Sequence, residues 1–178
     1  MYNLIITMIS IALIGITGLV AISYTGVIYS ERGGQGAARA QAVTLLNNAQ
    51  QVAGAQRAFQ AGHSGNLART YQALIDEGYL RAVPELPAGA VIGGWSMSPD
   101  GTVSMIPLNI DRDGQTGSPA ERVCEILPVF GGSALVIGSG PTPLVSDFDV
   151  SGAWFGCVTD PTATSVSDAT EVWFAHRT

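Results

Sequence analysis

The chain contains no lysine. Its eight basic residues are all arginines, set against fourteen acids for a net charge of −6. A broad nucleic-acid footprint needs clustered positive charge to displace counterions, so this balance argues against one, though not against a local arginine patch on an assembled surface. Charge of either sign is scarce: 12% of residues, about half the usual share. The first thirty positions hold none, and Glu31 is the first acid and Arg32 the first base. No proline occurs before Pro84, although nine follow from there, which leaves the first half free of helix breakers. There are two histidines and two cysteines. The spacing of Cys124 and Cys157 fits no CxxC metal or redox motif, and leaves either two buried thiols or one disulfide. A disulfide, favoured in an exported chain, would stabilise the fold by roughly 3–4 kcal/mol in the chain-entropy account. Internal repeats and a low-complexity tail are also missing.

What is present begins with "MYNLIITMISIALIGITGLVAISYTGVIYS". A secretory signal opens on a basic segment and carries 7–15 apolar residues, whereas the run from Leu4 to Tyr29 is longer and has no base before it. It suits a membrane helix, which needs about 20 mainly apolar residues. Thr7, Ser10, Thr17 and Ser23 are small, and their hydroxyls can bond back to the helix backbone. Gly15, Gly18 and Gly26 would each weaken a lone helix by about 1 kcal/mol in water. In return they let neighbouring helices approach closely.

The helix is expected to continue. Ala38, Ala42, Leu45, Ala49, Val52 and Phe59 recur at steps of three, four and seven, which places them on one stripe. The reading is one long helix that can break at "GGQG" (Gly33 to Gly36) and ends near Gly62; unbroken it would measure about 90 Å. A second, short helix is predicted over 66–78, capped by Asn66 and stopped by Gly78. Beyond "PELPAG" the pattern turns to strands at Val91–Met97, Thr102–Pro107, Arg122–Leu127, Ala134–Gly138, Ala153–Val158 and Thr170–Ala175, separated by turn signals. An antiparallel sheet is expected, with one face on the second half of the long helix.

Residues that carry chemistry are few. His63 sits in a Gly/Ser turn and His176 near the last residue, so both are expected at the surface without a catalytic setting. "FGGSAL" lacks the order of a nucleophile elbow, and "GSGPTP" has no phosphate-loop lysine. Asp111, Asp113 and Gln115 are spaced like the first ligands of a calcium loop, but Arg122 stands where the bidentate glutamate belongs, so a solvated turn is the favoured reading. Trp95, Trp154, Phe155, Trp173 and Phe174 are expected to fill the sheet–helix core. "TDPTATSVSDAT" reads as an exposed loop able to carry O-linked sugars, without an N-x-[ST] site. No cofactor and no enzymatic activity are expected.

Four stretches together resemble type IV pilins and the related pseudopilins of type II secretion. They are the uncharged start through Tyr24, the amphipathic continuation through Phe59, "ALIDEGYLRAVPELP", and the Cys124/Cys157 pair. Length and the Met start are more similar to the type IVb group. The resemblance implies an α+β fold: a long N-terminal helix whose apolar first half (1–36) protrudes as membrane anchor and filament core. The head (37–178) comprises helix 37–61, the short helix, and an antiparallel sheet over 90–178. It also implies a disulfide between the two cysteines that encloses a surface region. In a homo-oligomeric helical filament, the core-packing positions would be Met1, Tyr2, Ile5, Ile9, Leu13, Gly15, Gly18, Ile22 and Gly26. Before assembly the anchor would lie in a bacterial inner membrane, and pilus assembly machinery would move it to an extracellular pilus. Family members usually carry glutamate at the fifth mature position, where this chain has Ile5. The expectation is therefore a divergent major pilin or a minor or tip subunit, numbered from its processed start. The alternative is a single-pass anchored binding module that never polymerises.

Overall fold

The computed structural model describes residues 35–111, 117–140 and 143–178. The chain divides into two compact units, Met1–Ala37 and Ala38–Thr178. The architecture that follows is that of the second, together with the helix leading into it.

Helix α1 spans Gln35–Gly62. Ala38, Ala42, Leu45, Ala49 and Val52 are no more than 1% exposed, so the spacing read from the sequence is the buried seam; Phe59, last on the stripe, is half-buried. The helix ends at Gly62, and Ser64 and Gly65, both at positive φ, reverse the chain. Helix α2 covers Tyr71–Asp76 rather than 66–78. Asn66 does not cap it, because it lies five positions before Tyr71; its side-chain N–H donates to the His63 carbonyl at 3.0 Å. Thr70 caps instead, accepting from the Ala73 N–H. Gly78, at φ +77°, acts as the expected stop: the N–H groups of Tyr79 and Leu80 both fold back on the Leu74 carbonyl. The following segment is strapped to α1 by two helix amides, Gln41 to the Ala88 carbonyl and Asn48 to the Glu85 carbonyl.

The sheet has five strands: β1 (Ser96–Met97), β2 (Val103–Pro107), β3 (Ser133–Ile137), β4 (Phe155–Thr159) and β5 (Val172–Arg177), in the order β1-β2-β5-β4-β3. Three of the pairings are antiparallel, but β3 and β4 run parallel, so the sheet is mixed and not the antiparallel one expected. The cause lies between them. Residues 145–151 form a helix, α4 (Val145–Ser151), and a crossover of that kind returns the chain to the same end of the sheet. Of the strand expected over Val91–Met97 only Ser96–Met97 forms, as β1, while Val91 makes an isolated bridge to Leu108. Another strand assignment fails. Arg122–Leu127 falls mostly in helix α3 (Pro119–Ile126), which runs into a 3₁₀ turn at Leu127–Phe130. Ser118 and Glu121 form a reciprocal capping box there, with Pro119 at the first helical position.

The core has two compartments. On one face of the sheet, α1, α2 and α3 pack against Ile106, Cys157, Val172 and Phe174. On the other, Phe148 of α4 meets Val103, Met105, Val136, Val158 and Ala175. One polar side chain is sealed into the first region: Gln56 of α1, fully buried. Its amide donates to the carbonyls of Ala68 (2.6 Å) and Gly101 (3.1 Å), and its oxygen accepts from the Ala68 N–H (3.0 Å). A helix, a loop and a β-turn are thus pinned by one residue.

Candidate functional site

Cys124 on α3 and Cys157 on β4 are both buried and joined by a disulfide, with their Cα atoms 5.7 Å apart. The free-thiol alternative is thereby removed. The bridge encloses the 3₁₀ turn, β3 and α4. Among the described residues, seven large apolar side chains stand exposed. Four of them, Val129, Ile137, Leu144 and Trp154, lie inside this enclosure. The other three, Val83, Leu86 and Ile92, lie on the segment leading from α2 to the sheet. Single exposed apolar residues are ordinary; here they fall in two segments of the chain.

Trp154 departs from the core role expected of it: 57% of it is exposed. Trp95, Phe155 and Phe174 are buried as expected, and Trp173 is half-buried on the sheet face that carries Phe148. The Arg177 guanidinium lies 5.3 Å from the Trp154 ring centroid, and the Arg177 N–H donates to the Trp154 carbonyl at 2.9 Å. A cation over an exposed indole contributes on the order of 0.5–1 kcal/mol and fixes the ring's attitude. The aromatic that sequence reasoning missed is Phe148, fully buried. It is the one aromatic in "SDFDVSG", and the polar residues around it hid a helix.

The histidines divide. His63 is half-exposed, stacked on Phe59 at 3.9 Å with its Nδ1 donating to the Phe59 carbonyl and its Nε2 3.9 Å from Glu77. His176 is not at the surface: it is 6% exposed, parallel to the Phe155 ring at 6.0 Å, and its Nδ1 has no partner among the described residues. Burial, the largest influence, holds its pKa below the ordinary imidazole range; the charge of Arg57 acts the same way, and a backbone hydrogen bond at Arg177 opposes both.

Of the calcium candidates, Asp111 is exposed, with its N–H bonded to the Asn109 side chain, while Asp113 and Gln115 lie outside the described residues. Among the described residues no cluster of three His, Cys, Asp or Glu side chains could hold a metal. The Ser/Thr-rich loop folds on two carboxylates. Asp160 accepts from Thr162 and Thr170, and Asp168 from Ser165 and Thr164, by hydroxyl and N–H alike. These bonds hold both carboxyls well below their usual range, the Thr162 hydroxyl being the largest influence on Asp160 and the Ser165 hydroxyl on Asp168.

The filament-core positions Met1, Tyr2, Ile5, Ile9, Leu13, Gly15, Gly18, Ile22 and Gly26 all lie outside the described residues. Among those described, no helix is long and apolar enough to cross a membrane. No family model, curated protein or solved structure matches the chain.

Proposed function

We propose that this chain is a structural subunit of a type IV pilus-like extracellular filament. The observation that carries the reading is continuity. An uncharged run of thirty residues leads, with no proline, into α1, whose alanine-rich seam packs on the sheet within one compact unit, Ala38–Thr178. A disulfide-enclosed segment that bears exposed apolar side chains supports it, since a filament subunit needs surface for its neighbours.

The mechanism is replacement of lipid by neighbours. Apolar burial is worth about 25 cal/mol per Å², so a helix as long as the opening run resists extraction into water and favours a bundle of like helices. Machinery drives the extraction, and the subunit catalyses nothing. Ile5 favours a second version of the same reading, a minor or tip subunit, because a neighbour's N-terminal amine finds no carboxylate at that position.

Electron microscopy of material sheared from cells, with mass spectrometry of its protein, is the test. Thin filaments made chiefly of this chain are the expected result, and traces within other filaments would assign the minor role. A chain that stays wholly with the membrane fraction would overturn the proposal in favour of an anchored binding module.

A further inference from the structure

Two turns flank the first part of α1, and each exposes an apolar side chain. The segment after α2 runs back along that helix: Asn48 holds the Glu85 carbonyl at 2.7 Å, and Gln41, seven positions nearer the helix start, holds the Ala88 carbonyl at 3.0 Å. The turn 87–90, closed by the Ala90 N–H on the Pro87 carbonyl, is therefore the part nearest the start, and Leu86 enters it 44% exposed. The second is the 3₁₀ turn Leu127–Phe130, where Val129 is 70% exposed and the Arg39 guanidinium lies 5.9 Å from the Phe130 ring centroid. Arg39 and Gln41 are two residues apart, about 200° around the helix, so the two turns meet it on opposite sides. Arg39 is the only charged residue between Arg32 and Arg57, and no acid occurs between Glu31 and Asp76. In a chain of net charge −6, the first turns of α1 thus carry one cation and no anion.

We propose that these two turns rest on a lipid surface, with Leu86 and Val129 in the boundary between headgroups and acyl chains and Arg39 on lipid phosphate. Three arguments select lipid. The first is reach. The uncharged run has its last large apolar side chain at Tyr29, nine positions before Ala38, where the compact unit begins. A bilayer holding that run lies within about 30 Å of Ala38 even at full chain extension. The second is size. Two side chains held apart by a helix fall far short of the roughly 800 Å² per partner that a stable protein interface buries, so they cannot recruit a free partner. A surface to which the chain is already tethered needs no such area, because the contact is intramolecular. The third is charge: a guanidinium whose stem runs along an aromatic ring, on a helix without acids, suits phosphate. The proposal rests on the membrane reading of the opening run, and holds whether or not the subunit polymerises.

The two native cysteines are joined, so an introduced cysteine is the only free thiol. The full chain, labelled with an environment-sensitive fluorophore at Leu86→Cys, Val129→Cys or Ala61→Cys, is reconstituted into vesicles of equal parts phosphatidylcholine and phosphatidylglycerol. Ala61 is exposed on the last turn of α1, about 35 Å along the helix from Ala38. Lipid spin-labelled near its headgroup should quench the fluorophore about twofold or more at positions 86 and 129 and leave position 61 unchanged, with the same circular dichroism for all three. Arg39→Gln should weaken the contact read at position 86 by about fivefold, and only where phosphatidylglycerol is present. Flotation of the vesicles in alkaline carbonate keeps the two readings apart. A chain that does not float would overturn the membrane reading and this proposal with it. A chain that floats without quenching at positions 86 and 129, with equal quenching at position 61, or with Arg39→Gln indistinguishable from the parent, would overturn this proposal alone.

Discussion

Replacing Gln56 by Leu keeps the side-chain volume close to that of the original and removes the amide. In hydrophobicity terms that change should help, since the site is fully buried. The geometry predicts the opposite. The Ala68 N–H and carbonyl both lose the partner that faces them, whereas the Gly101 carbonyl keeps the Thr178 hydroxyl at 2.8 Å. Each buried backbone group left unpaired costs about 1–3 kcal/mol, so two of them cost roughly 2–6 kcal/mol, a large share of a small domain's stability. Urea unfolding of the full chain in micelles, followed by tryptophan fluorescence, reads this directly. Gln60→Leu is the control: its amide bonds the Gly65 carbonyl on an exposed face and should change stability by less than about 0.5 kcal/mol. Gln56→Glu sharpens the test. Its carboxylate would face the carbonyls of Ala68 and Gly101, so the folded state must hold a proton that the unfolded chain releases above about pH 4.3. That variant should lose stability as pH rises through the acid range. A Gln56→Leu chain within about 0.5 kcal/mol of the parent would refute the reasoning.

Removing the bridge by Cys124→Ser with Cys157→Ser should lower stability by roughly 3–4 kcal/mol, as closure of a loop spanning 33 positions implies, read as a shift in urea midpoint. The pKa of His176 is depressed in the folded state, so below about pH 6.5 the unfolded chain binds a proton that the native one does not. Stability should then fall with acidification by up to about 1.4 kcal/mol per pH unit, until the folded pKa is passed, and His176→Gln should remove that component. Trp154→Ala should cost less than about 1 kcal/mol in unfolding, because its ring is exposed and held chiefly by Arg177. A bulky residue at Gly15 or Gly18 should abolish filaments, seen by electron microscopy, while thermal unfolding of the head is unchanged; normal filaments would remove the packing role of those glycines.

The α1 seam was legible because its pattern is local: five small or apolar residues at steps of three and four specify one face without reference to anything else. Gly78 was legible for the same reason, as a stop that needs only positive φ. What escaped depended on distance. "ERVCEIL" alternates well enough to pass for a strand, and the capping box in "SPAE" was the signal that could have corrected it. The parallel pairing of β3 with β4 could not be read from either strand, because it follows from α4, whose Phe148 packs against the sheet. Trp154 and His176 exchanged their expected environments. The environment of each is set by which sheet face, and which neighbour, its strand position meets.

Gln56 belongs to a set of side-chain amides that fix α1 against the rest of its compact unit. The first fully covered position of the seam is Ala38, and from there the core is closed by residues of the same unit. Alanines in the seam bring α1 close but bury little area each, so apolar contact alone would leave its axial position weakly set. The side-chain amides of Gln41, Asn48 and Gln56 each bond backbone carbonyls outside the helix, at Ala88, Glu85, and Ala68 with Gly101. Such bonds are directional, and sliding the helix by one residue breaks all of them at once. A small-residue seam for closeness and amides for register fix the helix to its head.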